Sequence, residues 1–189
     1  MLAEQLPDVK PAVRWLPFQL NPDLPAKGIP RADYIARKFG TRSKGNYERV
    51  AKVGESVGIP FAFDKIEVQP NTLNAHRLLS YAEQHRRQHQ VAEVLFNAYF
   101  IEGANLTDVD TLASVAKRGG LDETAAKAYL ASDADRDAVE KADVEARNAG
   151  IGGVPFFIFN RAVGVSGAQE ADTLLRAMLQ AMQPDSGKN

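Results

Sequence analysis

Apolar and polar positions follow two different periods along this chain, and the change of period divides it into parts. From about residue 31 to residue 149 the apolar residues recur every three or four positions, which is the period of amphipathic helices. Before and after this region, short apolar runs bounded by glycine, proline and asparagine are typical of strands. The sequence therefore predicts an α/β unit that is interrupted by a large block of helices.

Start and stop signals divide the block into seven predicted helices. They cover residues 31–39, 44–57, 72–89, 90–102, 107–118, 122–132 and 133–148. The fifth begins with the capping-box pattern Thr107-x-x-Asp110 and stops at Gly119-Gly120. The segment of residues 61–66, between the second and the third helix, is short, apolar and interpreted as a connection, so the block is predicted to be all-helical.

The flanking segments predict strands. Residues 11–20 have a mixed strand pattern that ends at Asn21-Pro22. Phe156–Phe159 is a short apolar run between Pro155 and Asn160-Arg161, which is the pattern of a buried strand closed by a tight turn. A hairpin is expected there.

Composition excludes several classes of function. The 189 residues are 44% hydrophobic and carry a net charge of -1, so the chain can form a sizeable core but has no basic surface for nucleic acid or an anionic membrane. No apolar run approaches the roughly 18 residues of a membrane span, and the N-terminus lacks signal-peptide features. We therefore expect a cytoplasmic protein with neither membrane nor nucleic acid as a partner. The chain has no cysteine.

Several separate segments resemble one protein family. GGVPFFIFN at residues 152–160, followed by AVGVSGAQ at residues 162–169, resembles the second half of a DsbA-type thioredoxin fold in the FrnE-like subgroup. Three earlier segments match the same subgroup in the same order: RWLPFQLNP at 14–22, NTLNAHRL at 71–78 and LFNAYFIEG at 95–103. The resemblance implies an α/β, thioredoxin-like domain formed by residues 1–30 and 150–189, with residues 31–149 as a helical insertion domain.

The resemblance also implies a segment that is missing here. Family members begin with a strand and a Cys-x-x-Cys motif on the first helix, whereas residues 1–6 resemble only the tail of that helix. Without cysteine there is no thiolate nucleophile, so no catalytic residue is assigned. Loss of a central strand would leave strand edges open, which favours either a homo-oligomer that shares strands or an unstable chain.

Val154 and Pro155 are the substrate-binding residues that the resemblance implies. In the family this proline is cis and faces the cysteine motif, which leaves the Val154 backbone free for a substrate. Because X-Pro bonds are cis in only about 5–6% of cases, the residues alone favour trans, and the resemblance favours cis. His76 lies in a segment that packs near this site in the family; the alternative is a buried, hydrogen-bonded histidine.

The pattern Ser166-x-x-Gln169 is typical of a capping box that opens a C-terminal helix. Ser166, Gly167, Ala168 and Gln169 are a candidate anion site, because related kappa-class glutathione transferases hold a glutathione carboxylate at the equivalent helix start. The alternative is simple capping of the helix by the Ser-Gln pair. Apart from glutathione, no cofactor is expected.

His85 and His89 stand four residues apart, which is a spacing of metal ligands on one helical face. They lie in a continuous polar run with no third ligand in view. A solvated helix surface is therefore favoured, and no metal site is expected.

The function implied by the resemblance is oxidation or isomerisation of disulfides, with protein or small-molecule thiols and disulfides as partners. Two alternatives stay open. One is a glutathione-dependent isomerase or transferase of the 2-hydroxychromene-2-carboxylate isomerase type, in which a serine replaces the first cysteine and would also lie in the missing segment. The other is a catalytically inactive remnant that binds peptide backbone at Val154-Pro155 or dimerises.

Overall fold

The computed structural model describes residues 9–39 and 43–183, and most of them are helical. In chain order the elements are β1 (Ile29–Pro30), α1 (Arg31–Phe39), α2 (Ser43–Ser56), a 3₁₀ turn (Phe63–Lys65), β2 (Val68–Gln69), α3 (Leu73–Gln84), α4 (Gln88–Phe100), α5 (Val109–Arg118), α6 (Glu123–Ala131), α7 (Arg136–Asn148), β3 (Phe156–Phe159), β4 (Val163–Ser166) and α8 (Ala171–Met182). They form two compact units. One, called the helical unit below, spans Arg14–Ala142, and the other consists of the described residues before and after it.

The helices of the block agree with the helical period, and the main difference lies between the third and the fourth. The predicted helix of residues 72–89 ends five residues early, at Gln84. The chain turns at Arg86, which has a φ of 57°, while the backbone N–H of Arg87 donates to the Ala82 carbonyl at 2.8 Å. A non-glycine residue in this left-handed conformation ends the hydrogen-bond pattern of a helix.

The core of the helical unit lies among α3, α4, α5 and α6. Leu78, Val91, Leu112 and Val115 are fully buried within one apolar cluster. Burial of each side chain of this size contributes about 1.5–3 kcal/mol, so this cluster is the main source of stability in the unit.

Aspartates begin two of these helices. Asp108 accepts the Thr111 N–H at 2.8 Å at the start of α5, and Asp122 does the same for Ala125 at 2.7 Å at the start of α6. The predicted capping residue Thr107 is therefore wrong by one position, because its hydroxyl donates instead to Asn105 at 2.7 Å. Hydrogen bonds from the side chain and the backbone of Thr111 lower the pKa of Asp108.

The antiparallel pair β1–β2 sets the start of α1. Ile29 lies opposite Gln69, and the Arg31 N–H donates to the Glu67 carbonyl at 2.7 Å. Gly28 precedes the pair with a φ of 71°, and a Cβ on it would lie 2.5 Å from the Gln69 carbonyl oxygen. Only glycine fits both the conformation and the close approach.

Gly28→Ala is expected to lower the free energy of unfolding by about 2 kcal/mol or more, because the left-handed conformation is strained for alanine and the methyl group meets backbone. Urea denaturation followed by circular dichroism measures the change. Gly45→Ala is the matched control: Gly45 lies inside α2 with nothing within 4 Å of an added Cβ. That change is expected to stabilise the protein by about 0.5–1 kcal/mol. Equal effects of the two substitutions would contradict the assignment.

The predicted strand at residues 11–20 is wrong. The structure gives this segment no strand, and Trp15 pairs with a side chain instead. Gln88 accepts the Trp15 N–H at 2.9 Å, and its own amide donates to the Trp15 carbonyl at 3.0 Å. A strand needs a neighbouring strand along several residues, whereas one glutamine side chain satisfies only one residue. The segment therefore has the composition of a strand but no neighbouring strand, among the described residues, with which to pair.

The predicted strand Phe156–Phe159 and its hairpin are confirmed. Phe156 lies opposite Ser166 and Phe159 opposite Val163 in the antiparallel pair β3–β4. At the turn, the Ala162 N–H donates to the Phe159 carbonyl at 2.9 Å, and both Asn160 and Arg161 have a positive φ, as in a type I′ turn. The hairpin and α8 contact each other: the Asn160 side-chain amide donates to the Ala181 carbonyl at 2.9 Å.

Candidate substrate-binding site

A glycine-rich loop leads from α7 into β3 and contains Val154-Pro155. Gly150, with a φ of 86°, follows the end of α7. The Val154-Pro155 peptide bond is cis, as expected from the resemblance. The Pro155 carbonyl accepts the Gly167 N–H at 2.9 Å, which extends the β3–β4 pairing by one step. Pro155 is therefore tied into the hairpin on its carbonyl side.

The Val154 backbone is open. Its N–H and its carbonyl make no hydrogen bond to any residue that the structure describes, and the residue is 46% exposed. A Cβ added to Gly152 or Gly153 would have no atom within 4 Å. The backbone of one residue, with a free donor and a free acceptor, thus lies beside open space, where the backbone of an extended ligand can approach.

The helix start predicted at Ser166 is wrong. Ser166 is the last residue of β4, and Gly167 turns the chain with a φ of 80°. The Gln169 side chain donates to the Ser166 carbonyl at 2.9 Å instead of capping a helix. The pairing of β4 with β3 continues through Ser166, and this pairing prevents Ser166 from adopting the role of a cap.

The true start of α8 is acidic. Glu170 is the residue before the helix, its side chain makes no capping hydrogen bond, and Asp172 lies in the first turn. Two carboxylates complement the positive end of the helix and repel an anion. Anion binding at Ser166, Gly167, Ala168 and Gln169 stays a prediction. The argument from free N–H groups at a helix start does not support it, because no helix begins at these residues.

The candidate histidines lie in the helical unit. His76 is half-buried in the first turns of α3, where its carbonyl accepts the Ser80 hydroxyl at 3.3 Å. Its role in substrate binding stays a prediction. His85 and His89 are not on one helical face, because the turn at Arg86 separates them.

Each of these two histidines contacts an aromatic ring. The His85 ring lies 4.5 Å from that of Tyr81, and the Trp15 indole N–H points at His89 Nδ1 at 3.4 Å. Among residues 9–39 and 43–183, no group of three or more histidines, aspartates or glutamates is arranged to hold a metal ion.

Comparison with known proteins identifies the family. The profile of the DSBA-like thioredoxin domain matches residues 2–179. The chain belongs to the DSBA-like thioredoxin domain family. The DsbA-like fold, with helices inserted into a thioredoxin-like α/β unit, thus agrees with the predicted fold class. Families of this type are thiol-disulfide oxidoreductases.

Individual proteins are also similar to this chain. The chain is 26% identical over 170 residues to the uncharacterised protein YwbO of Bacillus subtilis (strain 168), which covers 88% of this chain and 80% of the relative. The crystal structure of a probable DsbA oxidoreductase from Streptomyces coelicolor matches with a TM-score of 0.81 and 26% identity, over 91% of this chain and 76% of the other. A Nitrosomonas europaea structure at 15% identity and a TM-score of 0.59 covers 75% and 76%, and shows the shared fold alone.

In this DsbA-like chain no described helix is both long enough and apolar enough to cross a bilayer.

Two buried arginines of the helical unit, Arg77 and Arg31, were not predicted. Arg77 in α3 is 0% exposed and donates at 2.6–3.2 Å to four carbonyls at the end of α6 and beyond it, those of Tyr129, Leu130, Ser132 and Ala134. Burial lowers the pKa of Arg77. Its position next to Leu78 on the apolar face of a helix is the signal that could have indicated burial.

Proposed function

We propose that this chain provides the substrate-recognition part of a DsbA-like thiol-disulfide oxidoreductase. An extended segment of a thiol or disulfide substrate binds at Val154-Pro155 and forms main-chain hydrogen bonds with Val154. The observation that carries this proposal is the open backbone N–H and carbonyl of Val154, next to a proline whose own carbonyl is held by Gly167. The held carbonyl orients the loop, and Gly152 and Gly153 leave room for the incoming backbone.

The chemistry of this family needs a thiolate. Thiol-disulfide exchange proceeds by attack of a thiolate on a disulfide sulfur through a mixed disulfide. The 189 residues contain no cysteine, so exchange requires cysteines that these residues do not supply. Within the proposal, the role of the chain is to bind and orient the substrate. Substrate binding by His76, which lies in the helical unit, stays a separate prediction, and membership of the FrnE-like subgroup belongs to the proposal.

A binding protein without catalysis is the second candidate, and the absence of cysteine favours it. The two candidates share the binding site and differ only in whether thiols are supplied from elsewhere. The glutathione-dependent alternative gains no support from the start of α8, where Glu170 and Asp172 repel an anion.

The Val154 contact is tested with a short cystine-bridged peptide whose ends are acetylated and amidated. We expect the peptide to shift the amide resonance of Val154 in a saturable way. Val154→Pro removes the N–H donor and is expected to weaken binding about five- to tenfold, the effect of one lost hydrogen bond. Val154→Ala keeps the donor and is the matched control, with affinity close to the original.

Because Val154→Pro also restricts the backbone, the amide shift in the unaltered chain is a separate measurement that does not depend on a variant. A peptide that saturates the protein without moving the Val154 resonance would contradict the proposal. Equal affinities of the proline and alanine variants would contradict it as well.

A further inference from the structure

The segment of residues 14–20 in the helical unit is attached to α4 at Trp15. The Trp15 N–H donates to the Gln88 side-chain oxygen at 2.9 Å, and the Gln88 amide donates to the Trp15 carbonyl at 3.0 Å. The Trp15 ring also lies 5.5 Å from that of Phe96. Gln88 and Phe96 both belong to α4, so the backbone and the side chain of Trp15 are bound by the same helix.

A third residue of α4 binds the indole of Trp15. The Trp15 Nε1–H donates to His89 Nδ1 at 3.4 Å, and the two ring planes are inclined by 22°. An indole nitrogen can only donate, so this hydrogen bond needs a lone pair on Nδ1. A neutral imidazole with its proton on Nε2 has that lone pair, whereas an imidazolium carries a proton on each nitrogen. The contact is therefore compatible only with a neutral His89.

The surroundings of His89 provide no second partner for its ring. Apart from the Trp15 contact, the imidazole makes no hydrogen bond or ion pair with any residue that the structure describes. The charged and titratable side chains of the attached segment, of the end of α3, of the following turn and of the first turns of α4 are Arg14, Glu83, His85, Arg86, Arg87 and Glu93.

Most of the neighbouring charges already have partners. Arg14 forms an ion pair with Glu83. The three charged side chains of α5, which also packs against α4, form ion pairs with Lys127, Glu123 and Glu102. Glu93 lies four residues after His89 on α4, where a carboxylate attracts an imidazolium but gains little from a neutral ring. Glu93 is thus an alternative partner for a protonated His89.

We infer that His89 makes the attachment of Trp15 to α4 sensitive to pH. A histidine changes its charge between about pH 5 and 8. Above this change the neutral imidazole accepts the indole N–H. Below it, a proton on Nδ1 faces the proton of the indole, and the hydrogen bond is lost. The attachment is therefore strongest at the alkaline end of this range, and at the acidic end it depends on Gln88 and Phe96 alone.

Trp15 itself reports on this contact. The chain has one tryptophan, so a proton–nitrogen correlation spectrum contains one indole N–H resonance. We expect this resonance to move between pH 8 and pH 5 along the curve of a single ionisation. In His89→Gln, which keeps an acceptor that does not ionise in this range, the movement is expected to disappear. An indole resonance that stays in place in the unaltered protein, or that still moves in His89→Gln, would overturn the inference.

His85→Gln is the matched control for the indole resonance. His85 also lies beside an aromatic ring, 4.5 Å from that of Tyr81, but it does not contact Trp15. The indole resonance is expected to move in this variant as it does in the unaltered protein. Loss of the movement in His85→Gln would assign the ionisation to the wrong histidine and would contradict the role of His89.

A stability measurement distinguishes loss of the hydrogen bond from cation–π attraction between an imidazolium and the indole. The unfolding equilibrium constant of the unaltered protein, divided by that of His89→Gln, is expected to rise about two- to tenfold from pH 8 to pH 5, as for one lost hydrogen bond. Urea denaturation followed by tryptophan fluorescence measures both constants. The same ratio formed with His85→Gln is expected to stay constant. A ratio for His89→Gln that stays constant or falls would show that protonation does not weaken the attachment, and would overturn the inference.

Discussion

Replacement of Arg77 by methionine is expected to lower the free energy of unfolding of the helical unit by at least about 3 kcal/mol. The arginine donates to four carbonyls, those of Tyr129, Leu130, Ser132 and Ala134. Each buried acceptor that loses its partner costs about 1–3 kcal/mol, although some of them will regain a water molecule. Because a whole domain is stable by about 5–15 kcal/mol, this loss is a large fraction of the total.

The structural reason is the position of Arg77 between two helices. Arg77 lies in α3, and its guanidinium donates to carbonyls at the C-terminal end of α6. Because the helix ends there, these carbonyls lack the hydrogen bonds that a further helical turn would provide. It also donates to the Asn74 side chain at 2.9 Å and lies 5.4 Å from the ring centre of Tyr129. A positive charge at the end of a helix is also favoured by the helix dipole. Methionine keeps most of the volume but none of these donors.

Urea denaturation followed by far-ultraviolet circular dichroism measures the effect of Arg77→Met. Arg118→Met is the matched control, because Arg118 forms a bidentate pair with Glu102 at the surface, with distances of 2.8 and 2.6 Å. Exposed pairs contribute about 0–1 kcal/mol, so the control is expected to change stability little. Similar losses in the two variants would show that the carbonyls around Arg77 do not depend on it.

The purified 189-residue chain is expected to show no thiol-disulfide exchange at all. It contains no cysteine, and no other side chain supplies the thiolate that attacks a disulfide. The rate of insulin reduction in the presence of dithiothreitol should equal the rate without protein. Mass spectrometry should find no mixed disulfide after incubation with glutathione disulfide.

A cysteine-containing DsbA-like protein in the same assays provides the positive control. The peptide titration at Val154 must be made on the same preparation, because it separates a folded chain without thiols from a chain that has lost its structure. Any turnover above the background rate would contradict the requirement for outside cysteines. Peptide binding without turnover is the result expected of a recognition part.

Whether the chain forms strand-sharing oligomers stays a prediction, and sedimentation of the purified chain tests it.

Local signals in the sequence were enough for most of the helices and for the hairpin. The boundaries of α1 agree with the predicted 31–39, and Asp122 begins α6 as its side chain predicts. Asn160 allows the positive φ of the turn between β3 and β4. In each case the deciding contacts lie within a few residues along the chain, so the residue types are sufficient.

Tertiary structure decided the points at which the sequence predictions were wrong. Residues 11–20 have the composition of a strand, but a strand exists only where a neighbouring strand pairs with it. Within this segment the Gln88 side chain pairs with a single residue, Trp15, which lies 73 positions away. Ser166 has a capping pattern, yet its pairing with Phe156 keeps it in β4. At both places, pairing with residues outside the segment itself outweighed the preference of its own residues.

The candidate sites depend on both levels. The sequence, through its resemblance to DsbA-type proteins, indicated Val154-Pro155, but only the structure revealed that the backbone N–H and carbonyl of Val154 have no partner among the described residues. The distant hydrogen-bond partners of Arg31 and Arg77 could not be read from local pattern, since they lie 38 and 52–57 residues away. Residue types determine what a side chain can donate or accept. Its partner, and whether it has one, is determined by the packing of segments that are far apart in the chain.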